Sequence, residues 1–237
     1  MLLPLLGAAL LASFVQGVTG FAIGICLMSL LPLFLPYTQA VFTTMFLLFV
    51  FSVVSVASRR KKVRWRVIAL PVAANIVCNY LAILFLKSHV SAAWGRALGV
   101  FLILLGLYFF FLQKRLTIRP GPASGLVVGA LCGLLGGLFG VSGPPLAVYL
   151  VSLDELDKEE FFATAQGFSL LTAGVDVVFR LAGKLAEPRM LLPALAAVPA
   201  VLLGLFFGQK LYAGMSRELV RKLVYVLMIV SGIRLLF

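Results

Sequence analysis

The chain has 237 residues, of which 62% are hydrophobic and 12% charged, with a formal charge of +12; its mean hydropathy is +1.14. A soluble domain of this size carries about 25% charged residues, so there is too little polar surface here to cover a water-facing globule. These values exclude a soluble enzyme or binding module, leave no stretch for a separate soluble domain, and predict an all-α polytopic membrane protein.

Residues 2–36 form the first apolar element, broken near its middle by Gly17, Gly20 and Gly24. No basic segment precedes Leu2 and the apolar character runs on to Ala57, which predicts a retained membrane element, not a cleaved leader. Spanning helices need about 20 apolar residues, and 39–58, 66–86 and 95–112 supply three, with Trp65 and Trp94 at span ends where interfacial aromatics belong. Six of the 20 Lys/Arg fall between the first two spans: Arg59, Arg60, Lys61, Lys62, Arg64 and Arg66. Such a run marks a cytoplasmic loop, so the charge is read as topology with attraction to anionic lipid, and nucleic acid is not expected as a partner. The implied location is a prokaryotic cytoplasmic membrane, crossed several times.

A second broken element covers 122–152, interrupted by Gly133, Gly136, Gly137, Gly140 and Gly143, and is followed by spans at 161–179, 189–209 and 221–237. A shift of 120 residues lays Gly17 on Gly137 and Gly20 on Gly140, and a slightly larger one lays Pro71 on Pro193 and Arg59 near Arg180. The chain therefore reads as two repeats of about 120 residues, 1–117 and 118–237, within one membrane domain. Each repeat is a glycine-broken element plus three spanning helices. If each broken element crosses once the repeats are parallel; if it is a re-entrant hairpin they are inverted. Lys/Arg counts do not separate these. Two arms of about 16 residues suit a hairpin, and 35 residues exceed one crossing, which favours inversion.

A backbone break at membrane depth survives only when buried in protein or lining a wet cavity. In Gly136-Gly-Leu-Phe-Gly-Val-Ser-Gly-Pro-Pro145, Ser142 is placed to cap a new helix, and Pro144 and Pro145 suit its first turn. Gln16-Gly-Val-Thr-Gly-Phe-Ala-Ile-Gly24 offers Thr19 as the matching cap. Two helix N-termini converging there would make an anion site. Close helix packing through small residues is the plainer reading of the glycines; the prolines, the cap residues and the duplication favour a site.

The motif Gly136–Leu146, with its weaker copy Gln16–Gly24 lacking the prolines, resembles the TauE/SafE sulfite-exporter family of bacterial and archaeal membrane proteins. The similarity extends over essentially the whole chain. It implies a transporter of small anions, typically sulfite, sulfonates or related organic acids, and leaves the particular substrate open.

The candidate substrate-binding residues are Gln16, Gly17, Thr19, Gly20, Gly137, Gly140, Ser142, Gly143, Pro144, Gln166 and Arg180, with Gln16 and Gln166 as neutral donors. Asp176 is the only acid well inside an apolar segment, one turn from Arg180. The two form either a structural pair or a coupling site in which Arg180 faces the anion and Asp176 takes up a proton. Asn75 and Asn79 share a face of the Pro71 span and are expected to support the site by interhelical hydrogen bonds. Asp154, Glu155, Asp157, Glu159 and Glu160 read as a solvated loop, without the spacing of a calcium site. Cys26, Cys78 and Cys132 are scattered and His89 is the sole histidine, so neither a metal nor a cofactor is expected. No catalytic constellation is visible, which speaks against an enzyme. No P-loop is present, so pumping would draw on an ion gradient, of protons or another coupling ion, or on a separate partner subunit. A non-transporting scaffold or a passive anion channel is the alternative, and the oligomeric state is open.

Overall fold

The computed structural model describes residues 2–88, 93–111, 119, 121–153, 156–211 and 217–236. His89, Asp154, Glu155 and the proposed repeat boundary at 117/118 lie outside them. The described residues are helical throughout: α1 (Leu2–Thr19), α2 (Ile23–Leu30), α3 (Tyr37–Arg59), α4 (Trp65–Ser88), α5 (Ala93–Phe111), α6 (Pro122–Phe139), α7 (Gly143–Val151), α8 (Lys158–Ala182), α9 (Leu191–Ala196), α10 (Val198–Leu211) and α11 (Arg217–Leu236). Six of these (α1, α3, α4, α5, α6 and α8) are long and apolar enough to cross a bilayer, and α9 with α10, bent by 42°, makes a seventh. Trp65 opens α4 and Trp94 stands at the start of α5, as interfacial residues should.

Polarity is distributed inside out. Large apolar side chains such as Val77, Leu81, Leu131, Phe206 and Val230 are exposed, whereas Ser52, Asn75, Gln166, Asp176 and Arg180 are buried. Lipid suits the first group. The second must find partners within the protein.

At the centre α3 and α8 lie antiparallel. Phe49 packs on Gly174, Ser52 bonds Gln166, and the backbone N–H of Arg64 donates to Thr164. The loop end of this pair is ionic: Arg64 pairs with Glu160 at 2.9 Å, and Lys62 with Asp157 at 3.6 Å. Asp157 and Glu160 also close a capping box at the start of α8, so part of the acidic cluster is a helix start tied to the basic loop. We call this the charged end.

Three further pairs meet backbone to backbone through small residues. On α6, Gly125, Gly129, Gly133 and Gly137 step along Pro71, Asn75, Asn79 and Ala82 of α4, with room for only 2.5 Å between a methyl at Gly133 and the Asn75 carbonyl. Helix α10 lies on α1 in the same parallel sense, Gly204 against Leu10 and Ser13, and Gly208 against Phe14 and Gly17. Helices α5 and α11 run antiparallel through Gly99 and Gly232.

These contacts fix the direction of the broken elements. Helix α1 runs toward the charged end and stops at Gly20, which packs on Phe161 and Phe162; α2 then returns, so that Tyr37 bonds the carbonyl of Leu138 near the opposite end. Helix α6 runs away from the charged end, and α7 returns to put Leu150 and Val151 beside Thr19 and Asp157. In both elements the shorter helix turns back, and the long helices run in opposite directions. Their arms are not equal as the sequence suggested: 18 residues against 8 in the first, and 18 against 9 in the second. The apolar run continues unbroken to the glycine turn, so the outgoing arm takes most of the length.

Candidate functional site

The two hairpin turns cross one another between the midpoints of α3 and α8. Gly20 and Gly140 turn the chain with φ of 88° and 70°, a left-handed conformation that a side chain disfavours. Gly24 then packs on the Gly140 carbonyl, where a methyl would stand 2.8 Å from the oxygen, and Gly143 packs on the Phe21 carbonyl. Each turn is thus held by a glycine of the other. Between them Gln16, Gly20, Ser142, Gly143 and Ser169 line a cavity of about 10 Å³, room for about one water.

The first turn is stitched by amides. Gln16 donates to the Gly20 carbonyl at 3.2 Å and accepts from the Ile23 N–H at 2.8 Å. Gln166 donates to the same carbonyl at 3.0 Å and accepts from Ser52. Both side chains therefore spend a donor on the turn. The expected cap at Thr19 is corrected: its hydroxyl bonds back to the Val15 carbonyl within α1 at 2.9 Å. The residue before α2 is Ala22, and Gln16 supplies the cap from seven residues upstream. Ser142 does precede α7, but its hydroxyl makes no capping bond; Pro144 sits in the first turn as expected.

The second turn is held through carbonyls. Helix α6 ends with acceptors that its own backbone cannot all satisfy. Gly140 donates to Gly136 at 2.9 Å, Arg180 Nη2 to Gly137 at 2.6 Å, and Tyr37 to Leu138. A cation at a helix C-terminus also meets the negative end of the dipole. Arg180 is bound to Asp176 at 2.6 Å with both side chains buried, and Asn79 donates to the other Asp176 oxygen at 2.8 Å. The pair expected from sequence is present; its guanidinium is directed at backbone carbonyls, beside the crossing. Asn75 lies one turn from Asn79, its carbonyl against Gly133.

The candidates fall into three groups. Gln16, Gly20, Ser142 and Gly143 line the small cavity, with Gln166 joined to it through Gly20. Gly140 forms the second turn and Pro144 follows it. Gly17 and Gly137 are packing contacts against α10 and α4, the plainer reading of a glycine in a membrane helix. Two polar residues at the site were missed from sequence: Ser169, which lines the cavity, and Tyr37, which holds α6. Only their positions on apolar helix faces would have marked them.

The first turn borders open space at the charged end. A cavity of about 240 Å³ is lined by Thr19, Gly20, Lys158, Phe161 and Phe162 among others. A second, of about 230 Å³, shares Lys158 and Phe162 and adds Gly17, Arg59, Glu159 and Gln209. Outside it, about 540 Å³ opens among Arg59, Arg60, Lys61 and Lys62. This stepped vestibule is basic, and beyond Gly20 it narrows to the space at the crossing.

Comparison with known proteins points to a transporter family. The sulfite exporter TauE/SafE family matches residues 5–235. A protein of Cupriavidus necator described as a probable sulfite/organosulfonate exporter TauE is 26% identical over 245 residues, covering 100% of this chain and 95% of its own length. No solved structure matches. A polytopic helical chain matched over nearly its whole length leaves one assignment: it belongs to the TauE/SafE sulfite exporter family of membrane transporters.

Proposed function

We propose that the chain is a secondary transporter exporting a small oxyanion, such as sulfite, a sulfonate or a related organic acid, across a prokaryotic cytoplasmic membrane. In this reading the substrate passes the crossing of the two hairpins. The observation that carries it is the reciprocal contact of Gly24 with the Gly140 carbonyl and of Gly143 with the Phe21 carbonyl. Interrupted helices meeting at membrane depth are how secondary transporters build substrate sites. Ser142 and Ser169 offer hydroxyls there, and the start of α7 lends its positive dipole end.

The two repeats are inverted. Support comes from the reversed hairpins, from the antiparallel pairs α3–α8 and α5–α11, and from the exchange by which α4 packs on α6 as α10 packs on α1. With the basic loop inside the cell, the vestibule opens to the cytoplasm and the crossing is shut. A carrier with one side open has this form, whereas a channel would need a continuous bore. Protonation of Asp176 supplies coupling in this scheme, the anion competing with it for Arg180.

The test is uptake of labelled sulfite by proteoliposomes holding the purified chain, with and without an imposed pH gradient. Saturable, gradient-dependent flux is expected, and Ser142→Ala with Ser169→Ala should lower it. Flux equal to that of empty liposomes sinks the reading. Flux that never saturates makes the protein a channel.

A further inference from the structure

We propose that the vestibule contains a second oxyanion station, separate from the hairpin crossing, where Arg59 of α3 and Gln209 of α10 hold the anion before it reaches Gly20. The identity of the ligand rests on the transport reading above; the site itself rests on different residues.

Arg59 is half-buried at the inner end of α3. Its Nη2 donates to Gln209 Oε1 at 3.2 Å, and its guanidinium carbon lies 5.2 Å from the centre of the Phe162 ring. Amide and ring together orient a side chain that would otherwise wave in solvent. With Oε1 occupied, Gln209 has only its Nε2 donors left. That nitrogen is buried and has no acceptor among the described residues, a condition folded proteins normally avoid. A guanidinium has five N–H donors and no acceptor. Arg59 therefore brings donors alone to a cavity of about 230 Å³ whose wall Gln209 shares.

The surrounding charge has the matching sign. Lys158 lines the same cavity, and Arg60, Lys61 and Lys62 line the opening outside it. The one acid on its wall, Glu159, is within 3.8 Å of Lys62, which offsets its repulsion. A planar guanidinium beside an amide N–H suits two oxygens of one sulfite, sulfonate or carboxylate group. Phe162 also touches the Gly20 turn, so the station adjoins the route to the crossing without sharing its hydroxyls.

A lipid head group carries the same oxygens, and the experiment separates the two sources. Thermal unfolding of the full-length protein in detergent is followed against sodium sulfite, with sodium chloride at equal ionic strength as the reference. Wild type should gain stability with sulfite concentration as a ligand-binding fold does. Arg59→Gln and Gln209→Leu should each weaken the apparent affinity about tenfold, the scale of one charge-assisted hydrogen bond. Gln209→Leu removes both the unpaired donor and the acceptor that orients Arg59, so it should weaken binding whether Gln209 touches the anion or positions Arg59. A purely structural Gln209 predicts an unaltered sulfite response, and that result overturns the proposal. So does a wild type that ignores sulfite. Ser142→Ala with Ser169→Ala should keep the response while lowering flux; if it loses the response, the station is not separate. Repeating the titration in phosphatidylcholine nanodiscs with added phosphatidylglycerol should leave the sulfite shift intact, and its disappearance assigns the station to lipid instead. Sulfite binding at Arg59 without any flux in liposomes would uphold the station and remove the transport reading.

Discussion

Gln166 donates to the carbonyl of Gly20 at 3.0 Å, joining the middle of α8 to a hairpin turn 146 residues earlier. The same carbonyl is held by Gln16, whose Oε1 also takes the Ile23 N–H. Gln16→Leu strands a buried N–H, whereas Gln166→Leu leaves the turn its other amide. The first should cost about 1–3 kcal/mol and the second about 1 kcal/mol. Chemical denaturation of both variants in detergent checks the order, and equal losses would mean that the turn is not stitched as described.

Glycines at the turns should be sharply distinct from a glycine that faces open space. Gly143→Ala drives a methyl into the Phe21 carbonyl, and Gly140→Ala forces a side chain into the left-handed region, at about 1–2 kcal/mol. Gly7 has nothing within 4 Å of an added methyl, so Gly7→Ala should be neutral or stabilising by up to about 1 kcal/mol. Flux should vanish in the first, fall in the second and stay normal in the third. Normal flux in Gly143→Ala removes the crossing from the pathway.

Breaking the Asp176–Arg180 pair should be severe, because either survivor is a buried charge facing α6. Loss of one partner costs about 3–5 kcal/mol, while Asp176→Leu combined with Arg180→Met should recover part of it. On the coupling hypothesis, motivated by this i,i+4 pair beside the crossing, Asp176→Asn loses the pH dependence of flux but retains anion exchange. If Asp176→Asn answers a pH gradient as wild type does, the pair is structural alone.

The proposed inverted arrangement assigns the faces. In a chain lacking Cys26, Cys78 and Cys132, a cysteine at Glu187 should react with an impermeant maleimide added to intact cells. Cysteines at Lys61 and Glu159 should react only after permeabilisation. Labelling of Glu159→Cys from outside would reverse the orientation.

Acid should loosen the start of α8 by way of Asp157. The Glu160 backbone N–H holds its carboxyl below the usual carboxylate range, and Lys62 adds to this. A lowered folded pKa gives stability that is complete above the unfolded value, about 3.9, and is lost as pH falls through the folded one. Protection of the Glu160 amide, relative to its intrinsic exchange rate, should therefore fall below about pH 4, and Asp157→Ala should lack that protection at every pH. A flat profile in wild type would refute this.

The turns themselves were legible because glycine and proline punctuate a chain whatever surrounds them: Gly20, Gly140 and Pro144 stand where the sequence put them. Gln16 as the cap of α2 was not, since that bond spans seven residues across a break and local rules point to Thr19. Nor was the destination of Arg180. Its i,i+4 acid could be read, but the α6 carbonyls lie more than 40 residues away in the chain. Gly133 and Gly137 were grouped with the break although their spacing, continued from Gly125 and Gly129, is that of a packing stripe.

That stripe has a mechanical consequence. With no side chain between them, α4 and α6 cannot slide or part without opening a void, and the same holds for α1 on α10. Each hairpin is therefore riveted to a crossing helix from the other half of the chain. The rigid units are the composites α1–α10 and α4–α6, which the crossing of the two hairpins also ties together. Spin-label distances from α1 to α10 and from α4 to α6 should therefore stay fixed on adding sulfite.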